Sequence, residues 1–144
     1  MENYSSKEDA KSISQTSLLC DLPFDDNNKK PLGGLNWHSP SYDIIGQQYK
    51  SLLIQHAGLN ARSTVLDIGC GTGRLIKPLL EVIEPVNYRG VDICPRFVNI
   101  CRERFGNLDI RHIDMRHEEF NPAGVITPED YELPFTHRQF DIVV

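Results

Sequence analysis

The sequence predicts an α/β fold, a parallel sheet with helices flanking it, and three observations carry that prediction. Short β-branched apolar runs alternate with segments of helical periodicity along the chain. The first such run, Thr64-Val65-Leu66-Asp67-Ile68, is almost continuously apolar, as a strand buried on both faces requires. It leads directly into Gly69-Cys70-Gly71-Thr72-Gly73 and a second helical pattern, giving strand, glycine turn and helix in order. Strands alternating with helices pair in parallel through right-handed crossovers.

Residues 1–36 are rich in Ser, Asp, Asn and Lys and read as a polar, flexible lead-in, with one apolar patch around Leu22 and Phe24. The folded domain is expected over 37–144. After Ser39-Pro40, the residues Ile45, Tyr49, Leu52, Leu53 and His56 fall at helical spacing, and Gly58 suits the end of a helix over 42–57. The strand over 64–68 follows. Leu75, Ile76, Leu79, Leu80 and Ile83 then mark a helix in which Pro78 removes a hydrogen bond. A second strand is expected over 86–92. Pro95 opens a helix that carries Phe97, Cys101 and Phe105 on one face and closes at Gly106. Residues 108–113 form a third strand, and a fourth begins at Phe140. An apolar strand at the chain's end would leave a bare sheet edge, so the domain is expected to be truncated there, and self-association through that edge is a further expectation.

At 144 residues the chain suffices for one domain with a core. No apolar run approaches the roughly 20 residues of a membrane helix. The N-terminus lacks the apolar stretch of a secretory signal, so a cytoplasmic location is expected. A net charge of −5 argues against a general electrostatic grip on nucleic acid. Cys20, Cys70, Cys94 and Cys101 make no CxxC pair, and no zinc ligand set accompanies them; four reduced thiols and no metal are expected.

Chemistry concentrates at the glycine turn. Glycines there let the backbone turn sharply and approach a ligand without interference from a Cβ. Dinucleotide enzymes place glycines as GxGxxG, and here Arg74 occupies the third glycine's position. Asp92 lies 19 residues past Gly73, at the tip of the next strand, close to the roughly 20 expected of an acid that grips ribose hydroxyls.

The run Val65-Leu66-Asp67-Ile68-Gly69-Cys70-Gly71-Thr72-Gly73-Arg74 resembles the first motif of the class I, Rossmann-like S-adenosylmethionine-dependent methyltransferases. Gly90-Val91-Asp92-Ile93, Ile113-Asp114-Met115 and Leu133-Pro134-Phe135 followed by Phe140-Asp141-Ile142-Val143 match that family's later landmarks in order, over residues 40–144. The resemblance implies S-adenosylmethionine as cofactor, with Gly69, Cys70, Gly71 and Gly73 forming the cofactor loop. It also implies that Asp67 helps hold the ammonium group of the methionine portion and that Asp92 holds the ribose. Ile93 would wall the adenine, Asp114 would accept from its exocyclic amine, and the Met115 N–H would meet a ring nitrogen. Arg74 is a candidate to approach the cofactor's carboxylate, against the commoner reading of a solvated side chain in a helix's first turn, and Cys70 reads as a small filler, since no base accompanies it.

No catalytic residue is assigned, because substrate-side residues of the family commonly follow the fourth strand. His38, Tyr42, Tyr49 and His56 are the N-terminal candidates near a substrate mouth. The methyl acceptor is unidentified, a small molecule being favoured. Between Asp114 and Phe140 lie 25 residues, a long connection punctuated by Asn121-Pro122-Ala123-Gly124 and Thr127-Pro128-Glu129-Asp130, which reads as a surface loop that can serve as an acceptor lid. Two rival readings stand beside methyl transfer: an NAD(P)-dependent oxidoreductase of similar topology, and a non-catalytic binding or scaffold domain.

Overall fold

The computed structural model describes residues 39–136 and 138–144. The lead-in over 1–36, with its apolar patch and Cys20, and the candidate His38 lie outside the described residues. Four strands form one parallel sheet: β1 (Val65–Ile68), β2 (Tyr88–Asp92), β3 (Asp109–His112) and β4 (Ile142–Val143), in the order β3-β2-β1-β4. Val65 pairs with Tyr88 on one side and Ile142 on the other, and Arg89 pairs with Asp109. The chain steps outward from β1 to β3 and then returns to the opposite side of β1. That reversal opens a crevice beyond the carboxyl ends of β1 and β4, where ligands bind in open α/β sheets.

Among the described residues three α-helices accompany the strands: α1 (Pro40–Ala57), α2 (Ile76–Leu79) and α3 (Pro95–Arg104). Proline opens both α1 and α3, where its missing N–H costs nothing. Gly58 closes α1 in the left-handed conformation, its N–H donating to the Leu53 carbonyl. The helix expected to run on to Ile83 is a single turn, followed by tight turns from Leu79 to Ile83. Pro78 falls in the first turn, where its missing N–H costs little; the helix ends where the Glu81 and Val82 N–H groups turn to the Pro78 and Leu79 carbonyls three residues back. The second strand is likewise shorter than the sequence predicts, because Pro85–Asn87 forms a 3-10 turn that leaves Val86 on the surface.

Alternation along the strands splits the core between the two sheet faces. Val65, Tyr88 and Ile110 pack with Ile76, Leu79, Val98 and Cys101 on one side. Leu66, Val91 and Ile113 gather Phe135, Phe140 and Tyr131 on the other. Ile68, expected to be buried, is 47 % exposed because it stands at the strand tip, between the openings described below. Among the described residues no helix is long and apolar enough to cross a membrane.

Helix α1 docks on the turn that follows the glycine loop, and it does so with different residues from those its periodicity picks out. Tyr42 and Gly46 are buried, whereas Tyr49 and Leu52 are half-exposed and His56 is exposed. A Cβ at position 46 would lie 2.6 Å from the Arg74 carbonyl oxygen and 3.0 Å from Pro78 Cγ, so only glycine permits the approach. Gln47 and Lys50 then bind the two oxygens of Glu81. Gly46→Ala is therefore expected to lower stability by roughly 1–3 kcal/mol, the usual cost of overpacking. Urea denaturation checks this, with exposed Ser51→Ala as the near-neutral control.

Candidate functional site

The site is assembled where the tips of β1 and β2 stand side by side. Gly69 and Gly71 both have positive φ, 78° and 55°, and a Cβ at Gly69 would meet nothing within 4 Å. At Gly71 it would meet only the Gly69 carbonyl at 3.8 Å. The loop is thus a bare backbone cradle open to one side. Asp92 holds it in place: its Oδ2 accepts the Gly71 N–H at 2.7 Å and its Oδ1 accepts the Cys94 N–H at 2.8 Å. The Gly69 and Cys70 N–H groups donate to the Val91 carbonyl, so loop and strand tip are joined at several points.

Two cavities meet at this cradle, sharing Ile68, Gly69 and Gly71. One, of about 570 Å³, is almost wholly apolar: Ile93, Phe97, Ile113 and Met115 line it, and Asp92 supplies its acidic group. The other, of about 690 Å³, extends over Asp67, Thr72 and Arg74 to Tyr49, Leu52 and His56 on α1 and to Val144 beyond β4. It occupies the crevice that the topology predicts. Charge and apolar surface are therefore segregated along one continuous trough.

Asp67 is buried, and the Tyr88 hydroxyl donates to its Oδ2 at 2.9 Å. Burial pushes its carboxyl up to about 6, opposed by that hydrogen bond; the Asp92 charge adds to the rise and Arg74 reduces it. Burial also raises Asp92, against the pull of the Cys94 and Gly71 N–H groups. Tyr88 can reach Asp67 only because Gly90 lies beneath it: a Cβ there would sit 3.0 Å from the tyrosine hydroxyl. Cys70 is buried, and its thiol is pushed far up, first by a hydrogen bond with Cys101 and then by burial. It fits the sequence reading of a filler rather than a nucleophile.

Of the residues singled out in the sequence, Asp67, Gly69, Cys70, Gly71, Asp92, Ile93 and Met115 line the two cavities, with Arg74, Tyr42, Tyr49 and His56. Gly73 and Asp114 do not. A Cβ at Gly73 would strike Phe105 at 2.7 Å, so this glycine makes room for the residue after α3. The Asp114 carboxylate instead accepts from Asn121 Nδ2 at 3.2 Å, and its carbonyl takes the Val125 and Ile126 N–H groups. The same Asn121 amide donates to the Met115 carbonyl at 3.0 Å.

The long connection is not a detached surface loop. Bridges between Met115 and Ile126 and between His117 and Asn121 fold it back, and Phe120, Tyr131 and Leu133 from it wall the smaller cavity. Sequence reasoning also missed Tyr88 and Asn121. Asn121-Pro122-Ala123-Gly124 signalled the turn but not its attachment to Asp114, and nothing local marks Tyr88.

The sequence profile of the family described as Methyltransferase domain matches residues 65–144. The chain belongs to that family. Its domain is the class I, Rossmann-like methyltransferase domain that the motifs resemble, and S-adenosylmethionine is the family's cofactor. A malonyl-[acyl-carrier protein] O-methyltransferase of Acetivibrio thermocellus is 30 % identical over 110 residues, covering 72 % of this chain and 36 % of that enzyme. A non-reducing polyketide synthase of Penicillium roqueforti is 26 % identical over 130 residues, 83 % of this chain and 5 % of the synthase. The solved YcgJ protein of Bacillus subtilis superposes with a TM-score of 0.47 at 25 % identity, covering 67 % of this chain and 36 % of that one. The chain thus spans little more than a third of the first of these relatives and a small fraction of the second.

The methyltransferase domain's residues fit the cofactor on structural grounds. The cradle at Gly69 and Gly71 leaves open what a side chain would fill, and Arg74 Nε is buried without a hydrogen-bond partner among the described residues. In Asp92→Asn one of the two N–H donors loses its acceptor, and about 1–3 kcal/mol of stability goes with it. Amide exchange at Gly71 and Cys94 should accelerate while that of the core strands follows global stability.

Proposed function

We propose that the protein transfers the methyl group of S-adenosylmethionine to a small organic acceptor. The observation that carries this reading is the Asp92–Gly71 hydrogen bond at 2.7 Å, which ties a ribose-type acid to a bare glycine cradle between an apolar and a charged cavity. In this reading Asp92 uses its remaining lone pairs for the ribose hydroxyls. Ile93 and Met115 enclose the adenine in the smaller cavity, and Asp114 acts through Asn121 to hold the turn that presents Met115. Asp67 takes the ammonium group. The cofactor supplies a methyl group already activated on a sulfonium, so the protein's work is alignment and exclusion of water.

The acceptor enters the larger cavity, between the Tyr49–Leu52–His56 face of α1 and Val144. A small acceptor is supported by that cavity's size and apolar wall. The Acetivibrio relative is named for an acyl chain on a carrier protein, which keeps an acyl group among the acceptors worth assaying. Arg74 in place of a third glycine weighs against a nicotinamide cofactor.

Calorimetric titration tests the reading. S-adenosylhomocysteine should bind and NAD should not; saturable NAD binding with none for S-adenosylhomocysteine would overturn it. The pH dependence gives a second test. The ligand's amino-acid end keeps its charges between pH 5 and 7, whereas the Asp67 carboxyl, raised to about 6, gains its proton as pH falls. Affinity should therefore weaken on acidification, approaching about tenfold per unit well below that value. Asp67→Asn should bind more weakly at pH 7 and show a flatter profile.

A further inference from the structure

The long connection after β3 bends in a tight hairpin, and a side chain that belongs to none of the sequence motifs holds the bend. His117 and Asn121 form a hydrogen-bonded antiparallel pair, each N–H donating to the other's carbonyl at 3.0 Å. Glu118, Glu119 and Phe120 close the loop between them. A three-residue hairpin loop ordinarily carries a residue in the left-handed conformation, most often glycine. This loop has no glycine, and none of its three residues has a positive φ. The Glu119 and Phe120 N–H groups turn to a side chain instead.

That side chain is the imidazole of His117. Its Nδ1 accepts the Glu119 N–H at 3.2 Å and the Phe120 N–H at 3.2 Å. A ring nitrogen accepts only through a free lone pair, so the proton of the neutral ring sits on Nε2. The same ring packs against Phe120, with centroids 5.0 Å apart and planes tilted by 37°. His117 therefore grips Phe120 twice, by its backbone and by its ring. Phe120 is half-buried and lines the smaller cavity. Asn121, the next residue, is buried and binds the Asp114 carboxylate and the Met115 carbonyl. One turn thus sets two adjacent groups of that cavity's wall.

From this geometry we infer that His117 is a positioning residue: the lone pair on its Nδ1 holds the hairpin that places Phe120 in the wall against which the cofactor's adenosine lies. His117 is exposed and lines neither of the two cavities, so it acts through Phe120 and Asn121 alone. The acceptor carries the role, and the ring contact adds to it. The inference rests on the reading that adenosine occupies the smaller cavity, and the experiment separates the two.

Two variants divide what the ring does. His117→Asn discards the ring but keeps an acceptor for the N–H groups two and three residues on, as asparagine does in its own turns. His117→Phe keeps an aromatic ring beside Phe120 and has no acceptor. Each is titrated calorimetrically with S-adenosylhomocysteine and with methylthioadenosine, which keeps the adenosine and lacks the amino-acid end; circular dichroism checks folding. His117→Phe should weaken both ligands by a similar factor, about three- to tenfold, the range of one ordinary hydrogen bond. His117→Asn should stay within about twofold of wild type for both. If His117→Phe does not fold, His117→Ala takes its place, with the same loss expected. In the ligand-free proteins, NMR relaxation should show the Phe120 amide ordered in wild type and His117→Asn and more mobile in the variant without an acceptor. Wild-type affinity without the acceptor, or a loss in His117→Asn as large as in His117→Phe, would overturn the inference. Failure of wild type to bind S-adenosylhomocysteine would remove the cofactor reading instead; the hold of His117 on Phe120 would then be decided by relaxation, and an amide equally ordered in His117→Phe would refute it.

Discussion

The carboxylate of Asp92 is the fastening on which this site depends. Its two oxygens accept N–H groups from two different connections, Gly71 in the loop after β1 and Cys94 in the turn after β2. A glycine-rich loop with positive φ at Gly69, Gly71 and Gly73 has many conformations available to it, and an external acceptor is needed to select one. Buried, charge-assisted hydrogen bonds are strong enough to do so. The selected conformation leaves the cradle bare, with an apolar cavity on one side and a charged one on the other. A residue that grips a ligand's sugar can thus shape the surface over which the rest of that ligand lies.

A second layer of support stands behind the first. Tyr88 rises across Gly90 to hold Asp67, while Tyr42 crosses from α1 to hold Thr72 and to brace Arg74. Each uses a tyrosine because the job needs an apolar body that packs and a hydroxyl that ends on a polar partner. The close approach at Gly46 makes the second of these possible, since the helix must lie almost against the Arg74 carbonyl for Tyr42 to reach the loop. Stability of the helix contact and order in the charged cavity are therefore linked. The smaller cavity has its own support in Asn121, which binds both Asp114 and Met115 and so converts a long connection into a wall.

Much of this was legible in the sequence, because the strongest signals are local. Strand, glycine turn and parallel alternation follow from residues adjacent in the chain, and the sheet has the all-parallel order that alternation implies. Asp92 could be placed at a strand tip, and Asp67 just before the glycine loop, for the same reason. What escaped depends on contacts across the fold. Periodicity in α1 pointed to Tyr49 and Leu52 as buried, yet the helix crosses its neighbour at Tyr42 and Gly46 and overhangs the cavity with the rest. The apolar spacing after the glycine loop suggested a helix to Ile83, yet beyond Leu79 the bonds tighten to three-residue turns. Asp114 matched a motif by position, but its carboxylate turns to Asn121, a partner that only the folded connection brings near. Tyr88 looked like any aromatic residue of a buried strand.

A crystal structure of the protein with S-adenosylhomocysteine tests the central claim most directly. The account predicts ribose hydroxyls within hydrogen-bonding distance of Asp92 while the Gly71 N–H bond persists, with adenine among Ile93, Met115 and Tyr131. Ribose bound elsewhere, or a glycine loop that has left Asp92 to admit the ligand, would contradict it.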